Sequence, residues 1–384
     1  MGVDMNISRI KLKNWKNFRS ADVKLKSKTY IIGPNASGKS NFLDVFRFLR
    51  DVAKTTGGLQ KAVNERGGIK KLRCLEARTD PEVMIHIYLD DDDGETQWEY
   101  ILAFKSEGKG QQRILISEEK VFCNGAVILS RPDNQDKKDV TLRTQTHMEQ
   151  ILANAKFRVL ADFFSSTTYL HLVPQLLKYS TEIGGKRLDD DPFGQGFLEK
   201  LSSTQQRTRE AWLNKIQKSL SIAVPQFKEL RFVKDEITGV PHLEARYEHW
   251  RPNAGWQRED QFSDGTLRLV ALIWALLEKR HVLLLEEPEL SLNDGIVRHI
   301  PEIIFKTLKG ARNQKQVIIS THSQALLDNS LDAEAFIMLE PTKNGTIARH
   351  PTSDEVDALQ IGFTPAEILL PKTRPIDIDK IAEV

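Results

Sequence analysis

Cysteine is nearly missing from this 384-residue chain, long apolar runs are absent and charge of one sign hardly dominates, and each shortage closes off a class of protein. Cys74 and Cys123 sit in unrelated contexts without metal-ligand neighbours, which argues against a disulfide framework or a zinc site and for a reducing compartment, the cytoplasm. The longest apolar block, Leu269 to Leu277, runs straight into Glu278-Lys279-Arg280-His281 and is far too short to span a bilayer, so no membrane partner is expected. Met1 to Ser20 has no apolar core of signal-peptide length. With 55 Lys and Arg against 53 Asp and Glu there is no global basic field of the kind a nucleic-acid coat shows. No heptad run long enough for an extended coiled coil occurs, and no internal repeat.

What is present begins with Gly33-Pro34-Asn35-Ala36-Ser37-Gly38-Lys39-Ser40, which fits the phosphate-loop pattern G-x-x-x-x-G-K-[ST] at every fixed position. The apolar run Tyr30-Ile31-Ile32 leads in as a strand. Asn41 to Leu49 leaves as an amphipathic helix with apolar positions at 42, 43, 45, 46, 48 and 49. The chemistry explains the spacing. Glycines let the backbone approach an anion without Cβ clashes, and successive N–H groups plus the positive helix end face the phosphates. Lys39 supplies a point charge at the β- and γ-phosphates, and the Ser40 hydroxyl is placed to ligate Mg²⁺. The expected ligand is a nucleoside triphosphate held by Gly33, Asn35, Ser37, Gly38, Lys39, Ser40 and Asn41.

Around this motif the chain divides into four expected segments. Residues 1–144 hold the phosphate loop and an antiparallel β lobe. In them Val83–Leu89 and Gln97–Phe104 read as a hairpin whose aspartates, Asp90 to Asp93, form a solvated turn. Residues 145–225 read as a mainly helical insertion, with Met148–Phe164 and Trp212–Ile222 at helical spacing and a loop at Gly184–Gly196. Residues 226–350 open on a second hairpin turning at Thr238-Gly239 and then resume an α/β rhythm. Residues 351–384 form a Pro-spaced tail.

Two further constellations lie in the third segment. His281-Val-Leu-Leu-Leu-Glu286-Glu287-Pro288-Glu289 is an apolar strand ending in an acidic pair. Strand alternation turns the two carboxylates to different sides, so one can serve Mg²⁺ and the other can polarise a water. Upstream, Ser263-Asp264-Gly265-Thr266 opens a helix in an anion-binding geometry. Downstream, Val317-Ile-Ile-Ser320-Thr321-His322-Ser323 is an apolar strand ending in a polar loop with one histidine.

In chain order these motifs resemble the ATPase head of the ABC superfamily, in the RecF/SMC/OLD-like branch, and more closely the stand-alone AAA-family ATPases of bacterial defence operons. Ile10-Lys-Leu-Lys-Asn-Trp-Lys-Asn-Phe18 leading into the phosphate loop belongs to the same likeness. It covers residues 5–55 and 255–340 strongly, while Tyr169-Leu-His-Leu-Val-Pro174 matches only loosely. The resemblance implies an α/β fold: a P-loop ABC-type head with an N-terminal antiparallel β lobe and a helical insertion. It implies that Ser263 and Gly265 reach the γ-phosphate held by a second subunit, so that two ATPs are sandwiched in a head-to-tail homodimer or higher even oligomer. It makes Glu286 the Mg²⁺-side acid beside Ser40, Glu287 the general base, Ser291–Asp294 the loop signalling across the dimer, and His322 the switch histidine. The sequence departs from that pattern with Ser-Asp-Gly-Thr in the signature, Glu at position 286 and Asn293 where many relatives carry His. No residue, Gln97 included, is assigned as the metal-contacting glutamine.

Without membrane spans or coiled-coil arms, transport and chromosome organisation are disfavoured. The residues after Leu339 are also too few for an OLD-like nuclease domain. The expected function is an ATP-hydrolysing sensor or scaffold subunit of an anti-phage defence complex, with a nuclease effector on a separate chain. The alternative is a RecF-like ATPase clamping duplex DNA, for which the basic cluster Arg66, Lys70, Lys71 and Arg73 is the candidate nucleic-acid face.

Overall fold

A computed structural model describes residues 5–77, 79–91, 94–108, 112–180, 182–183, 188, 190–248, 255–309, 315–328 and 332–373. Its strands are β1 (Asn6–Trp15), β2 (Phe18–Lys24), β3 (Lys28–Ile32), β4 (Val83–Asp90), β5 (Thr96–Ser106), β6 (Ile114–Cys123), β7 (Ala126–Arg131), β8 (Thr168–Leu170), β9 (Phe227–Lys234), β10 (Pro241–Tyr247), β11 (Gln257–Arg258), β12 (Val282–Glu286), β13 (Gln316–Ser320), β14 (Phe336–Thr342) and β15 (Gly345–Arg349). The helices that matter most are α1 (Lys39–Ala53), α2 (Arg158–Ser165), α3 (Gln206–Ala223) and α4 (Asp264–Leu277). The chain forms two compact units: residues 1–167, 280–284 and 313–384, and residues 168–279 and 285–312.

The first unit holds an antiparallel sheet of order β2-β1-β4-β5-β6-β7. Its strands alternate inward and outward; β4 buries Val83, Ile85, Ile87 and Leu89 and turns its other residues outward. The β4–β5 hairpin pairs Val83 with Phe104 and Leu89 with Trp98, as the sequence pattern indicates. Asp90 accepts from Ser8 Oγ at 2.6 Å and Thr96 Oγ1 at 2.8 Å, and Asp91 accepts from the Glu95 amide, while Asp92 and Asp93 lie outside the described residues. The same unit holds the strands β15-β14-β3-β13-β12, with β3 parallel to both β13 and β14. These are continuous apolar runs, as expected for parallel strands covered on both faces.

Helix α1 is more deeply buried than an amphipathic surface helix. Its apolar positions Phe42, Leu43, Val45, Phe46, Phe48, Leu49 and Val52 are all buried, and so are the polar Asp44 and Arg50. Phe48 packs between Trp15 of β1 (ring centroids 5.2 Å) and Phe104 of β5 (5.5 Å), and Phe42 meets Phe18 of β2 at 5.9 Å.

The segment expected to be helical from Met148 starts its helix, α2, only at Arg158. The reason is a buried ionic cluster. Glu119 on β6 accepts from the amides of His147 (2.9 Å) and Met148 (3.1 Å) while pairing with Arg131, and Asn154 Nδ2 donates to the Met148 carbonyl. Side chains that capture backbone groups in this way hold the chain in turns in place of a helical ladder. Residues 184–187 and 189 of the expected 184–196 loop lie outside the described residues.

Arg66 changes its role. It is no surface cation: its guanidinium donates to Asp44 at 2.9 and 3.0 Å and to Asp51 at 2.8 Å, with all three side chains largely buried. Burial alone would push the Asp44 carboxyl up, but Arg66 and Lys16 beside it hold it below its ordinary value. The candidate nucleic-acid face therefore loses Arg66 and keeps exposed Lys70 and Lys71 and half-buried Arg73. Arg66→Met removes one partner from each of two buried carboxylates on α1, which keep Lys16 and Arg50, so we expect a loss of about 1.5–3 kcal/mol in chemical denaturation. An unchanged unfolding midpoint would show that the cluster contributes little.

The second unit is built on α4. Its Leu267, Val270, Ala271 and Trp274 pack with Leu213, Ile216 and Leu220 of α3 and with Phe227, Leu230, Leu243 and Ala245 of the sheet β11-β10-β9. Trp274 is held edge-on by Trp212 at 4.8 Å and Phe197 at 5.9 Å. Gly239, in the left-handed region at φ 69°, makes the β9–β10 turn, where Asp235 accepts from the amides of Ile237 and Thr238.

Candidate functional site

The phosphate loop follows β3 and opens α1 in the first unit. Gly38 stands at φ 98° as the N-terminal flanking residue; no side chain caps the helix and no acidic residue occupies its first turn. A fifteen-residue helix with an open amino end presents its first N–H groups and a partial positive charge to an anion. Ala36, also left-handed at φ 63°, helps curl the loop. The Lys39 ammonium folds back over this curl and donates to the Gly33 and Pro34 carbonyls, both at 3.2 Å. Asn35 and Ser40 are exposed, Asn41 is half-buried and Ser37 is fully buried. A Cβ on Gly33 would lie 2.5 Å from Ser37 Oγ and 2.8 Å from the Leu339 carbonyl, so the loop has room for glycine alone there.

Strand β13 lies parallel to β3 with Ser320 opposite Ile31, and the Thr321 amide donates to the Ile31 carbonyl. Both strands therefore end on the same edge of the sheet, the phosphate loop following one and His322 the other. Ser323 caps the short helix Gln324–Leu327. This is the carboxyl edge at which ligands meet parallel α/β sheets.

The remaining predicted residues lie in the second unit, entered partway along β12 after Leu284. Glu286 ends β12 half-buried. The Tyr169 hydroxyl on β8 donates to its Oε2, and its backbone carbonyl lies 3.2 Å from His171 Nδ1. Glu287 adopts φ 45°, a left-handed conformation that costs a glutamate of the order of 1 kcal/mol or more. Ser291 does the same at φ 62°. The Arg268 guanidinium on α4 is pushed below its ordinary value by burial, against the opposing pull of Asp264, Glu289 and Glu287.

Ser263 caps α4, its Oγ accepting from the Thr266 amide at 3.1 Å, and it remains exposed. A Cβ on Gly265 would lie 2.7 Å from the Ser291 carbonyl, so the glycine lets the signature turn sit directly on the loop Ser291–Asp294. Asn293 caps the next short helix through Gly295 N at 2.8 Å. Asp264 is committed elsewhere: Lys178 and Gln175 bond it at 2.8 and 2.9 Å and, the lysine foremost, hold its carboxyl below the usual range.

Three residues of these surroundings escape a reading by motif. Tyr169 and His171 meet Glu286 from 117 and 115 residues away, inside a stretch whose likeness to the family is loose. Asn17 bonds the phosphate loop itself; the sequence signal for it is the run Asn14-Trp-Lys-Asn-Phe18. Among the described residues no group of three or more His, Cys, Asp or Glu side chains could hold a metal ion, and no helix is long and apolar enough to cross a membrane. The exposed Ser40 hydroxyl at the head of α1 is the kind of ligand a hard cation such as Mg²⁺ takes alongside waters and phosphate oxygens.

An antiparallel lobe beside a parallel sheet, with a phosphate loop between strand and uncapped helix, is the architecture of a P-loop ATPase head. The chain belongs to the family described as "AAA domain, putative AbiEii toxin, Type IV TA system", which matches residues 28–328. It is also similar to Endonuclease GajA of Bacillus cereus (strain VD045), at 23% identity over 90% of this chain; that match spans 60% of the relative's length. Among solved structures, the Smc head bound to the C-terminal winged-helix domain of ScpA superposes with a TM-score of 0.56 at 16% identity, over 91% of this chain and 99% of that one. The Smc head with an extended coiled coil from Pyrococcus furiosus, bound to the C-terminal domain of ScpA, gives 0.53 at 13%, over 93% and 98%. At these identities the structural likeness establishes the fold.

Proposed function

We propose that the chain binds ATP with Mg²⁺ and hydrolyses it to ADP and phosphate. The observation that carries this is the uncapped amino end of α1, entered through left-handed Gly38 and carrying Lys39. The loop amides and Lys39 hold the phosphates, Ser40 and Glu286 hold the metal ion, Glu287 takes a proton from the attacking water, and His322 orients the γ-phosphate side. A Mg²⁺ ion held there would supply positive charge against the negative charge that develops on the phosphates. Ser263 and Gly265 serve the nucleotide of a second copy, so turnover requires a head-to-tail dimer. In the cell we read this as the sensor or scaffold ATPase of an anti-phage defence complex in the cytoplasm, acting with a nuclease on a separate chain. The likeness to a protein named an endonuclease supports this reading, as does family membership under a toxin–antitoxin description.

The composite site has a direct test. Lys39→Ala lacks a phosphate loop and Ser263→Arg blocks a signature, so each alone is inactive. Mixed, they form dimers with one site built from two intact halves, and ATPase activity returns to a fraction of wild type. No recovery on mixing, with the mixed dimer shown to form, would sink the shared-site reading. For the effector, co-expression with the flanking genes should yield a stable complex; recovery of the ATPase alone, fully active, would count against a partner.

Tyr169→Phe removes the hydroxyl that holds Glu286. Since a hydrogen bond to a charged group contributes about 1.5–3 kcal/mol, we expect the Mg²⁺ concentration for half-maximal hydrolysis to rise about tenfold. An unchanged Mg²⁺ dependence would show that Tyr169 does not position that carboxylate.

A further inference from the structure

The turn between β1 and β2 reaches the phosphate loop. Asn17 Nδ2 donates to the Ser37 carbonyl at 2.8 Å and to Thr346 Oγ1 at 2.7 Å, and Asn17 Oδ1 accepts from Asn41 Nδ2 at 2.8 Å. Thr346, buried on β15, donates its own hydroxyl to the same Ser37 carbonyl at 2.9 Å, and its amide donates to the Asn17 carbonyl at 2.7 Å. The donor–acceptor pattern admits one orientation of the Asn17 amide, because the Ser37 carbonyl can only accept. Glycines on both sides permit the approach. A Cβ on Gly38 would sit 2.1 Å from Asn17 Nδ2, and one on Gly345 would sit 2.7 Å from the Asn17 carbonyl.

Both hydroxyl and amide converge on a single peptide group, Ser37–Gly38. In a trans peptide the C=O and the following N–H point in opposite directions, so fixing the Ser37 carbonyl also fixes the Gly38 N–H. That amide belongs to the run of loop N–H groups available to an anion. A loop free to flip this peptide would present a carbonyl, a repulsive dipole, where an amide is needed. Trp15 adds a second hold, its Nε1 donating to the Asn41 carbonyl in the first turn of α1 at 2.8 Å.

We infer that Asn17 and Thr346 are positioning residues that lock the Ser37–Gly38 peptide with its amide presented to phosphate, an inference that rests on the nucleotide-binding reading above. Neither residue need touch the nucleotide, and they come from opposite ends of the chain, 329 positions apart.

The test measures binding of a fluorescent ATP analogue, mant-ATP with Mg²⁺, to the full chain, alongside thermal unfolding without nucleotide. Thr346→Val keeps the shape and removes the hydroxyl; it should weaken binding about tenfold, while Thr346→Ser restores wild-type affinity. Asn17→Ala should weaken binding at least as much, and the double variant should lose less than the product of the single losses because both act on one carbonyl. The unfolding temperature of Thr346→Val should stay close to that of Thr346→Ser, separating a set loop from a general loss of structure. Wild-type binding by both Thr346→Val and Asn17→Ala, beside a Lys39→Ala control that has lost binding, would overturn the inference. Wild-type binding by Lys39→Ala as well would bring down the nucleotide reading beneath it.

Discussion

Glu287→Gln is expected to bind ATP as tightly as the wild type and to hydrolyse it about 10²- to 10⁴-fold more slowly, the usual range for removing a general base. Gln is the same size and keeps the hydrogen-bonding oxygen, but it cannot accept a proton from water. The proposed base is held at a conformational cost. Glu287 holds φ 45° directly after β12, and its carbonyl accepts from the Leu290 amide at 3.2 Å, closing a tight turn. Glycine or asparagine would hold that turn with less strain, so a glutamate there points to its carboxylate as the reason. Slow chemistry with intact binding should also trap the ATP-bound dimer. Single-turnover hydrolysis reads the first effect and light scattering with and without ATP the second. Wild-type turnover would remove Glu287 as base, and slow turnover without dimer accumulation would break the link between ATP and association.

The chemistry of this chain was most legible where it is local. The strand–loop–helix around Gly33–Ser40, the apolar strand before Glu286 and the β4–β5 hairpin depend on neighbours a few positions away, and periodicity with turn residues defines them. What depends on distant partners was hidden. The start of α2 is delayed because Glu119, some thirty residues upstream, captures amides that a helix would have used. Arg66 reads as one of four surface cations until its distance to Asp44 is seen, since lysine-rich surroundings and a buried guanidinium look alike in one dimension. The apolar face read for α1 is the one that rings from β1, β2 and β5 cover, at Phe42 and Phe48; what the sequence hides is that Asp44 and Arg50 are buried too. Thr346 carries no signal at all: a threonine beside a turn glycine is ordinary until the fold brings it to the Ser37 carbonyl.

Lys39→Ala should abolish measurable nucleotide binding, a loss on the order of a hundredfold or more. The estimate follows from removing charge-assisted hydrogen bonds to phosphate oxygens, each contributing about 1.5–3 kcal/mol. In the structure the ammonium rests on the Gly33 and Pro34 carbonyls at 3.2 Å, so the side chain already bends across the loop's opening and needs only to exchange these weak acceptors for charged ones. The fold should survive its loss. The ammonium is buried and its two hydrogen bonds are charge-assisted but long, and alanine suits the first turn of a helix, so the variant should stay folded with a loss of about 1–3 kcal/mol. Lys39→Arg should fail almost as badly. A planar guanidinium with fixed donors cannot take the place of a compact ammonium in a loop whose carbonyls close around a point charge. Isothermal titration with ATP and Mg²⁺ distinguishes these outcomes from a folding defect, because chemical denaturation of the same samples reports stability independently. Tight ATP binding by a well-folded Lys39→Ala protein would mean that the loop amides and helix end alone hold the phosphates, and that the lysine serves some other step.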